Sequence, residues 1–459
     1  MGTVVIIGGG PAGYVAAITA ARKGQQVTLI EQQQLGGTCL NEGCIPTKSL
    51  LESAETYEKV KHAAVFGIDV PDSGVSVNWQ TVQQYKNKVM KKLVAGVGYL
   101  MKKNQVRVIS GKATFLTDQV LHVEKADGDE QFTADRFIIA TGSEPIELPF
   151  APFDGEWIID SKQAMSLTSI PSSLLIVGGG VIGCEFASIY SRLGTKVTMV
   201  EMAEHILPGE DRDIADVLKR QLEAAGVAIH TGTALERLDR RTKTARVQKK
   251  DGVEEIWTEK VLVSIGRKPR VKDLGLDRIG VKYSKQGIHV NENMQTSVSH
   301  LYACGDVIGG IQLAHVAFHE GEVAALNACG IEKKVNVRAV PRCIYTSPEI
   351  ASVGLTEKQA KERYGDVRIG EFPFSANGKA LILSEQEGKV KVIVEPEFNE
   401  IVGLAIVGPR ATELIGQGTL MLHAEMTTDA MEHFIAAHPT LSEALLEAVL
   451  NATGQAIHG

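Results

Sequence analysis

Two cysteines, Cys39 and Cys44, stand five residues apart in the segment GGTCLNEGCIPTKS, and this spacing suits a reversible disulfide. Five residues of a regular helix rise about 7.5 Å, which exceeds the usual Cα separation of a disulfide. A bridge therefore requires a break in the helix, which Asn41, Gly43 and Pro46 permit as turn formers and helix breaker. A small, strained and accessible bridge is easily reduced, so the segment predicts a redox-active disulfide.

Two other interpretations of this cysteine pair stay open. The pair could supply half of a zinc site, but the remaining cysteines are scattered singly and form no second ligand pair, so no metal site is predicted. The two thiols could also be unpaired and structural. The remaining cysteines are Cys184, Cys304, Cys329 and Cys343.

A histidine near the C-terminus is a candidate base for thiol chemistry. Exchange needs a thiolate, and histidine can remove a thiol proton near neutral pH. His438 lies in the segment HPTLSE, where Glu443 could fix its tautomer and stabilise the imidazolium. A structural role is open as well, because the chain has 12 histidines and Thr440 or Ser442 could cap a helix that begins here.

An internal repeat at an offset of 170 residues would hold these groups in place. The first copy reads VVIIGGGPAGYVAA and then KGQQVTLIE, and the second reads LLIVGGGVIGCEFA and then LGTKVTMVE. Each copy has an apolar strand, a G-x-G-x-x-G turn, a helix and a strand ending in an acid, which is typical of a dinucleotide-binding unit. The matched residues are Gly8, Gly10, Gly13 and Glu31 in the first copy and Gly178, Gly180, Gly183 and Glu201 in the second.

The glycines and the acid of such a unit have separate roles. The first glycine permits a tight turn, the second lets a pyrophosphate approach the backbone, and the third lets the helix pack on the strand. Free N–H groups at the helix start attract the pyrophosphate. The acid, 18 residues beyond the last glycine, accepts hydrogen bonds from ribose hydroxyls. One copy alone could be a purely structural turn, but two copies in register predict two bound dinucleotides.

Segments outside the repeat predict the last strand of each nucleotide-binding unit and the start of a third domain. Strands running into a glycine turn are expected at 137–143 and 261–267, each followed by a Pro-containing linker, and another strand at 296–306 ends at Gly305-Asp306. After about residue 340 the pattern changes to an α+β domain. Its expected strands and helices are 389–394, 401–407, 413–426 and 441–451.

Composition and charge exclude several classes of function. The 459 residues suffice for about three domains. The formal net charge is −7 without a basic block, so nucleic acid is not an expected partner. No apolar run approaches the roughly 18 residues that cross a bilayer, so no membrane partner is expected. The first strand opens at Thr3 without a basic signal region, and we expect a cytoplasmic protein.

Together, these motifs resemble those of the pyridine nucleotide–disulfide oxidoreductase family over the whole chain. GGTCLNEGCIPTK is similar to the family's redox motif, and ATGS and TSVSHLYACGD are similar to its two further FAD motifs. Within the family, IPTK, LAH, YTSPEIASVG and HPTLSE are most similar to the class I dihydrolipoamide dehydrogenases. The resemblance implies an α/β fold with two Rossmann-like dinucleotide-binding domains and a C-terminal α+β dimerisation domain.

The resemblance also implies where the cofactors FAD and NAD bind. Residues 1–148 and 271–340 would form the FAD-binding and central region, 149–270 the NAD-binding domain and 341–459 the interface domain. Glu201 would repel a 2′-phosphate, which favours NAD over NADP. The implied cofactor-binding residues are Gly8, Gly10, Gly13, Glu31, Lys48, Thr141, Gly142, Gly178, Gly180, Gly183, Glu201, Gly266, Asp306 and Ala314.

By the same resemblance, Cys39 is the interchange thiol that meets the substrate and Cys44 the thiol that contacts the flavin. Lys48 would lie beside the flavin and pair with Glu185, although Glu185 could simply be an acid near a helix start. His438 would reach the active site from the other subunit of a homodimer. The implied catalytic residues are Cys39, Cys44, Lys48, Glu185, His438 and Glu443.

The implied activity is oxidation of protein-bound dihydrolipoamide to lipoamide with reduction of NAD+, as the E3 component of a 2-oxo acid dehydrogenase-type complex. The partners would be the lipoyl domains and E2 core of such a complex, or the acetoin or glycine cleavage system. Two features depart from the pattern: Ala436 and Ala437 precede His438, and Glu42 adds a negative charge between the cysteines. We expect Glu42 to make the disulfide harder to reduce.

Three rival interpretations make different demands on the sequence. A glutathione reductase would carry basic residues for NADP after the second repeat, where this chain has Met202-Ala203-Glu204. A mercuric reductase would carry a cysteine pair at the C-terminus, and the tail 454–459 has none. A subunit that only serves as a scaffold would not need Cys39, Cys44 and His438.

Overall fold

The computed structural model describes residues 2–71 and 74–458. Its strands, in chain order, are β1 (Thr3–Ile7), β2 (Gln26–Glu31), β3 (Arg107–Ser110), β4 (Lys112–Thr117), β5 (Val120–Glu124), β6 (Glu130–Thr133), β7 (Arg136–Ile139), β8 (Ser143–Pro145), β9 (Ile158–Ile159), β10 (Ser173–Val177), β11 (Lys196–Val200), β12 (Ala228–His230), β13 (Ala234–Asp239), β14 (Thr244–Lys249), β15 (Gly252–Trp257), β16 (Lys260–Val263), β17 (Arg267–Pro269), β18 (Tyr283–Ser284), β19 (Gly287–Ile288), β20 (Leu301–Ala303), β21 (Arg342–Ile344), β22 (Glu349–Gly354), β23 (Arg368–Pro373), β24 (Lys389–Val394) and β25 (Ile401–Gly408).

The α-helices of the described residues lie between these strands, with short 3-10 turns at 63–66, 276–279, 305–308 and 374–376. They are α1 (Pro11–Arg22), α2 (Gly37–Asn41), α3 (Cys44–Lys61), α4 (Trp79–Lys103), α5 (Ser161–Ala164), α6 (Val181–Arg192), α7 (Arg212–Ala224), α8 (Ala314–Ala328), α9 (Glu357–Tyr364), α10 (Gly378–Leu383), α11 (Ala411–His423), α12 (Thr428–Met431) and α13 (Glu443–Asn451). Within residues 2–71 and 74–458, no helix is both long and apolar enough to cross a membrane.

The two repeats form two parallel sheets with the same strand arrangement. The first sheet has the order β3-β2-β1-β7-β20, and the second has the order β12-β11-β10-β16-β9. All neighbours within each sheet are parallel. In each, the repeat's first strand is central, so the glycine turn that follows it lies in the middle of the sheet's carboxyl edge, where ligands bind in such folds.

The central strands are apolar on both faces because both faces are covered. In β1, Val4 and Ile6 pack in a core with α1 and α8, whereas Val5 and Ile7 pack in a core with β4 and β5 on the opposite face. Successive side chains of a strand point to opposite faces, so a continuous apolar run is what a doubly covered sheet requires. The strand β10 divides its side chains between two cores in the same way.

The C-terminal part is an antiparallel sheet of order β21-β22-β25-β24-β23 against which α11 and α13 pack. The predicted fold class is therefore confirmed. The strand predicted at 389–394 is β24, and the one predicted at 401–407 is one residue shorter than β25. The helix predicted at 413–426 spans Ala411–His423, because the chain turns at Glu425 (φ 53°), and the one predicted from 441 begins at Glu443.

The two Pro-containing linkers that leave the nucleotide-binding units are paired with each other. The strand β8 runs antiparallel to β17, with Ser143 opposite Pro269 and Pro145 opposite Arg267. The sequence predicts each linker separately but not their pairing, since the two segments are more than a hundred residues apart. This ribbon joins the carboxyl edges of the two parallel sheets.

Candidate active site

The cysteine loop, residues 36–44, breaks the helix between the two cysteines as the sequence predicts. The helix α2 carries Cys39 and ends at Asn41, and Cys44 is the first residue of α3. Between them Glu42 has φ −140° and Gly43 has φ −150°, ψ −111°, both outside the helical region. The Asn41 side-chain amide donates to the carbonyl oxygens of Leu35 and Gly37 at 3.1 and 2.9 Å, which fixes the first half of the loop.

The two cysteines are half-buried thiols that share a hydrogen bond. This bond raises the pKa of Cys39 and lowers the pKa of Cys44 to about 7, because Cys39 acts as the donor. Burial of Cys44 raises its pKa and so opposes this effect, whereas the positive charge of Lys48 lowers the pKa further. The reduced pair therefore carries its negative charge on Cys44 near neutral pH.

An ion pair between the two nucleotide-binding units lies beside Cys44. Lys48 Nζ donates to both carboxylate oxygens of Glu185, at 2.7 and 2.8 Å, so the pair that the resemblance implies is present. Glu185 is 3% exposed and also accepts the Tyr345 N–H at 3.2 Å, while Lys48 Nζ lies 4.7 Å from the centre of the Tyr345 ring. The lysine is thus held by the Glu185 carboxylate and the Tyr345 ring at a position where it stabilises a Cys44 thiolate.

The third glycine of each repeat makes a contact that no other residue could make. A Cβ at Gly13 would lie 1.8 Å from the Gly8 carbonyl oxygen, and one at Gly183 would lie 2.0 Å from the Gly178 oxygen. Each helix therefore packs directly on its glycine turn. The N-cap residues, Gly10 and Gly180, contribute no side-chain hydrogen bond to the helix start, which leaves it open to a ligand.

The acids that end the second strands are held in the same way in both units. Glu31 accepts the N–H of Gly9 at 2.6 Å and of Gln33 at 2.7 Å. Glu201 accepts the N–H of Gly179 at 2.6 Å and of Ala203 at 2.7 Å. Each carboxylate oxygen keeps a free lone pair, so both acids can also accept hydrogen bonds from a ribose.

Asp306 belongs to a hydrogen-bonded chain that crosses the ribbon. Arg267 Nε donates to Ser143 Oγ at 2.8 Å, and Ser143 Oγ donates to Asp306 Oδ2 at 2.5 Å. Arg267 also donates to the Ser143 carbonyl at 2.9 Å. Nearby, Thr141 donates to the Arg270 carbonyl at 2.8 Å. The segments ATGS and SIGR are therefore tied together directly.

The loop that carries Asp306 is supported by a buried carboxyl group. Glu320 of α8 is 6% exposed and accepts the Gly305 N–H at 2.8 Å. The pKa of Glu320 is raised to about 7, chiefly by burial and further by the negative charge of Asp306. The hydrogen bond from Gly305 acts in the opposite direction and lowers the pKa. Ala314 opens the same helix and faces the cleft.

Most of the predicted residues line one cleft of about 2780 Å³ between the two parallel sheets. Single-ligand pockets measure about 300–1,000 Å³, so this volume suits two large ligands end to end. The predicted residues outside its lining are Gly13, Gly183, His438 and Glu443. Across the described part of the chain, no three His, Cys, Asp or Glu side chains are grouped so as to hold a metal ion.

His438 and Glu443 form a hydrogen-bonded pair on the C-terminal domain. His438 Nδ1 lies 2.9 Å from Glu443 Oε1, and the histidine side chain is 79% exposed. The other oxygen, Oε2, accepts the Thr440 N–H at 2.8 Å. Partial burial opposes ionisation of Glu443, but the hydrogen bonds from Thr440 and His438 outweigh it, so its pKa is lowered. Ser442 is the N-cap of α13 but makes no side-chain cap.

Comparison with known proteins agrees with this arrangement of two nucleotide-binding units and a C-terminal domain. Residues 2–321 match the model of the family described as pyridine nucleotide-disulphide oxidoreductase, and residues 340–449 match its dimerisation domain. The chain belongs to the pyridine nucleotide-disulphide oxidoreductase family. Its C-terminal antiparallel sheet is thus the family's dimerisation domain.

Relatives of known name extend over the whole chain. A dihydrolipoyl dehydrogenase of Bacillus subtilis (strain 168) is 59% identical over 458 residues, which is 99% of this chain and 100% of the relative. A dihydrolipoyl dehydrogenase of Geobacillus stearothermophilus is 40% identical over 99% of this chain and 97% of its own length.

Solved structures of other family members have the same fold. LpdA from Mycobacterium tuberculosis is 28% identical, with a TM-score of 0.90 and coverage of 98% of this chain and 99% of that one. The Cu(II) complex of the HOCl-induced flavoprotein disulfide reductase RclA from Escherichia coli is also 28% identical, with a TM-score of 0.87 and 98% coverage of both chains.

Four residues at this site are not predicted from the sequence: Ser143, Arg267, Glu320 and Tyr345. Ser143 and Arg267 hold the same place in the two matching segments ATGS and SIGR, and this correspondence was a usable signal. Tyr345 begins the segment YTSPEIASVG, which marked its region but not its contact with Lys48. Glu320 had no such signal, because its importance depends on helix packing. Each of the four fixes the backbone or the charge of a predicted residue.

Proposed function

We propose that this chain oxidises dihydrolipoamide to lipoamide and reduces NAD+, through a redox-active disulfide between Cys39 and Cys44. The observation that carries the proposal is the position of this pair, at a helix break between two nucleotide-binding units and beside the Lys48–Glu185 ion pair. The names of the relatives that cover the whole chain support the choice of substrate.

The residues fit two dinucleotides, FAD on the first unit and NAD on the second. Space beside the helix starts is open, since a Cβ at Gly180 would meet nothing within 4 Å and one at Gly10 only Gly37 Cα at 3.8 Å. A pyrophosphate would accept hydrogen bonds from these helix N-termini. Glu31 and Glu201 are placed to accept hydrogen bonds from the two ribose groups. Asp306 would lie near the ribityl chain of FAD.

Thiol–disulfide exchange accounts for the chemistry of the cysteine pair. His438 takes the proton of one substrate thiol, and the resulting thiolate attacks Cys39, which breaks the Cys39–Cys44 bond and leaves Cys44 as a thiolate. The second substrate thiol then attacks the substrate sulfur of the mixed disulfide as its thiolate and closes the lipoamide ring, while Cys39 leaves and takes up the proton. Two electrons have then moved from the substrate to the cysteine pair.

The reduced pair must hold a negative charge until its electrons leave. The lowered pKa of Cys44, about 7, allows the thiolate to be populated at neutral pH, and Lys48 stabilises that charge. Bound FAD supplies the two-electron chemistry that links this thiolate to the nicotinamide. The Lys48–Glu185 pair keeps the lysine fixed because Glu185 is itself buried and bonded to the backbone of Tyr345.

The geometry of His438 supports a homodimer as the active form. His438 and Glu443 are not among the residues lining the cleft around the cysteines, and His438 is largely exposed in the single chain. A second copy bound through the dimerisation domain would bring His438 of the partner subunit to Cys39. Glu443 would keep the imidazole in one tautomer, with Nε2 free to take the thiol proton.

The proposal includes a place in a multienzyme complex. We infer that the chain serves as the E3 component of a 2-oxo acid dehydrogenase-type, acetoin or glycine cleavage complex in the cytoplasm, and takes its substrate from the lipoyl domains of the E2 partner. The domain division 1–148, 149–270, 271–340 and 341–459 belongs to the same proposal. The ribbon of β8 and β17 is consistent with boundaries near residues 148 and 270.

The decisive experiment measures NAD+ reduction by the purified protein with dihydrolipoamide, with reduced glutathione and NADP+ as controls. Rapid turnover with dihydrolipoamide and NAD+ alone is the expected result. A yellow protein that NADH reduces but that does not oxidise dihydrolipoamide would contradict the proposed substrate and direct the search to another disulfide. A colourless protein that fails to bind FAD would contradict the proposal as a whole.

A further inference from the structure

Glu42 places a negative charge within the cysteine loop. It is the C-cap of α2, two residues before Cys44, so the Cα atoms of Glu42 and Cys44 are at most about 7.6 Å apart. Its N–H donates to the Thr38 carbonyl at 2.8 Å, which holds its backbone in place. Reduction of the disulfide takes up two electrons and one proton and leaves one thiolate, so a nearby negative charge opposes reduction.

The structure supplies a cation for this charge from the other nucleotide-binding unit. Lys162 Nζ forms an ion pair with Glu42 Oε1. Lys162 lies in α5, directly after β9, which is the edge strand of the second parallel sheet. The ion pair thus crosses from the second unit to the cysteine loop of the first.

The helix α5 is held firmly although it has a single turn. Asp160 and Gln163 form a capping box in which Gln163 N donates to Asp160 Oδ1 at 2.9 Å and Asp160 N donates to Gln163 Oε1 at 2.8 Å. Both bonds fix the backbone that immediately flanks Lys162. The backbone of Lys162 is therefore already ordered, so formation of the ion pair restricts only the side chain of the lysine.

The segment after α5 is fixed by the long helix α4. Lys86, which is 3% exposed, donates to the Met165 carbonyl at 2.8 Å, and Trp79 Nε1 donates to the Leu167 carbonyl at 2.8 Å. The Tyr190 hydroxyl of α6 donates to the Ala164 carbonyl. These donors come from both nucleotide-binding units, so α5 is anchored to each of them.

We propose that Lys162 is a positioning residue that neutralises Glu42 and thereby sets the reduction potential of the Cys39–Cys44 pair. The inference rests on the proposed redox function of these two cysteines. Lys162 is 53% exposed and Glu42 is 22% exposed, so the ion pair contributes little to stability. Its consequence lies in the charge beside the disulfide, and the loop is no harder to reduce than a loop that lacks both Glu42 and Lys162.

The two charges predict opposite effects when they are removed singly. Lys162→Met removes the ion-pair partner of Glu42 and should lower the equilibrium constant for reduction about fivefold, which is about 20 mV for a two-electron couple at 29.6 mV per tenfold. Glu42→Gln leaves Lys162 uncompensated and should raise the constant by about the same factor. The double variant should lie near the wild-type value.

The experiment equilibrates the FAD-loaded protein in a series of dithiothreitol redox buffers at fixed pH. Acid quenching, alkylation and mass spectrometry then give the reduced fraction of Cys39 and Cys44. Thermal unfolding of each variant should be unchanged. Glu236→Gln and Arg246→Met serve as matched controls, because they break a half-exposed ion pair of 3.0 Å between β13 and β14 of the second unit.

The possible outcomes separate this inference from the proposed function. Shifts of opposite sign in the two single variants, cancelled in the double variant, support the role of Lys162. Shifts of the same sign, or none, in a protein whose cysteines still titrate would overturn the inference alone. A wild-type protein whose Cys39 and Cys44 never exchange with the buffers would contradict the redox function itself.

Discussion

The two nucleotide-binding units have the same strand order in their parallel sheets but differ in the segment after the second strand. In the first unit, the chain returns to the glycine turn where Gly36 N donates to the Gly9 carbonyl at 2.8 Å, and the cysteine loop follows. In the second unit, Leu207 N donates to the Gly179 carbonyl at 2.8 Å, and the chain goes on to α7. The nucleotide-binding unit is thus present twice, but only the first copy is followed by the loop that carries the proposed chemistry.

The close contact of the cysteine loop with the first glycine turn depends on one residue. Gly37 has φ +54°, and a Cβ there would lie 2.6 Å from Gly10 Cα. The loop can therefore lie directly beside the helix start where a pyrophosphate would bind. In the second unit, Leu207, whose N–H makes the contact that corresponds to that of Gly36, carries a side chain that is buried in the core. The difference between the units is one of loop chemistry and not of fold.

The largest expected effect comes from removal of a thiol from the first unit's loop. Cys44→Ser should lower turnover by about 10⁴-fold or more, because no disulfide can form, while FAD remains bound. Steady-state NAD+ reduction and the flavin absorbance of the purified variant measure the two quantities. Cys329→Ser, at the C-cap of α8, should retain full activity as the control. Full turnover by the Cys44 variant would show that the pair is structural.

A slightly smaller effect should follow when the base from the C-terminal domain is removed. His438→Ala should lower turnover by about 10²–10⁴-fold with the dimer intact, because the substrate thiol loses its proton acceptor. His458→Ala is the matched control, since His458 Nδ1 pairs with Glu447 on the same helix at 2.7 Å and is 72% exposed. Kinetics and size-exclusion chromatography are the readouts. Equal losses of turnover in the His438 and His458 variants would indicate that His438 has a structural role.

The ribose acids test whether the two units bind different cofactors. Glu31→Ala should weaken FAD binding, and Glu201→Ala should lower the preference for NAD over NADP by about tenfold, because a charged hydrogen-bond acceptor is lost. The FAD content and the ratio of kcat/KM values for the two nucleotides measure these effects. An unchanged ratio in the Glu201 variant would count against the assignment of NAD to the second unit.

The smallest expected effect concerns the pKa of Cys44. Its value of about 7 is lowered by the hydrogen bond from Cys39 and by Lys48 and is opposed by Glu185. Lys48→Met should therefore move the midpoint above 7, and Glu185→Gln should move it below 7. Ultraviolet thiolate absorbance of the reduced protein across the pH range measures the midpoint. Midpoints that move in the same direction would show that the loop geometry has changed instead of the local charge.

The sequence by itself determined the two nucleotide-binding units, the strand and helix types of the C-terminal domain and the helix break between Cys39 and Cys44. These features are local: a glycine turn, a continuous apolar strand and a cluster of turn formers specify their conformation within a few residues. The family also followed from the sequence, because its motifs combine several such local signals. Both bounds of α11 and the start of α13 differ from the prediction by two or three residues, since turns at the helix ends decide where a helix starts and stops.

Only the tertiary structure decided which distant groups meet. The ribbon of β8 and β17, the chain from Arg267 through Ser143 to Asp306 and the support of Gly305 by Glu320 join segments that lie far apart in sequence. The same holds for Glu42, whose charge the sequence presents as unbalanced and whose partner Lys162 lies in the other unit. Contacts of this kind depend on how whole sheets pack together, which no local pattern of residues encodes.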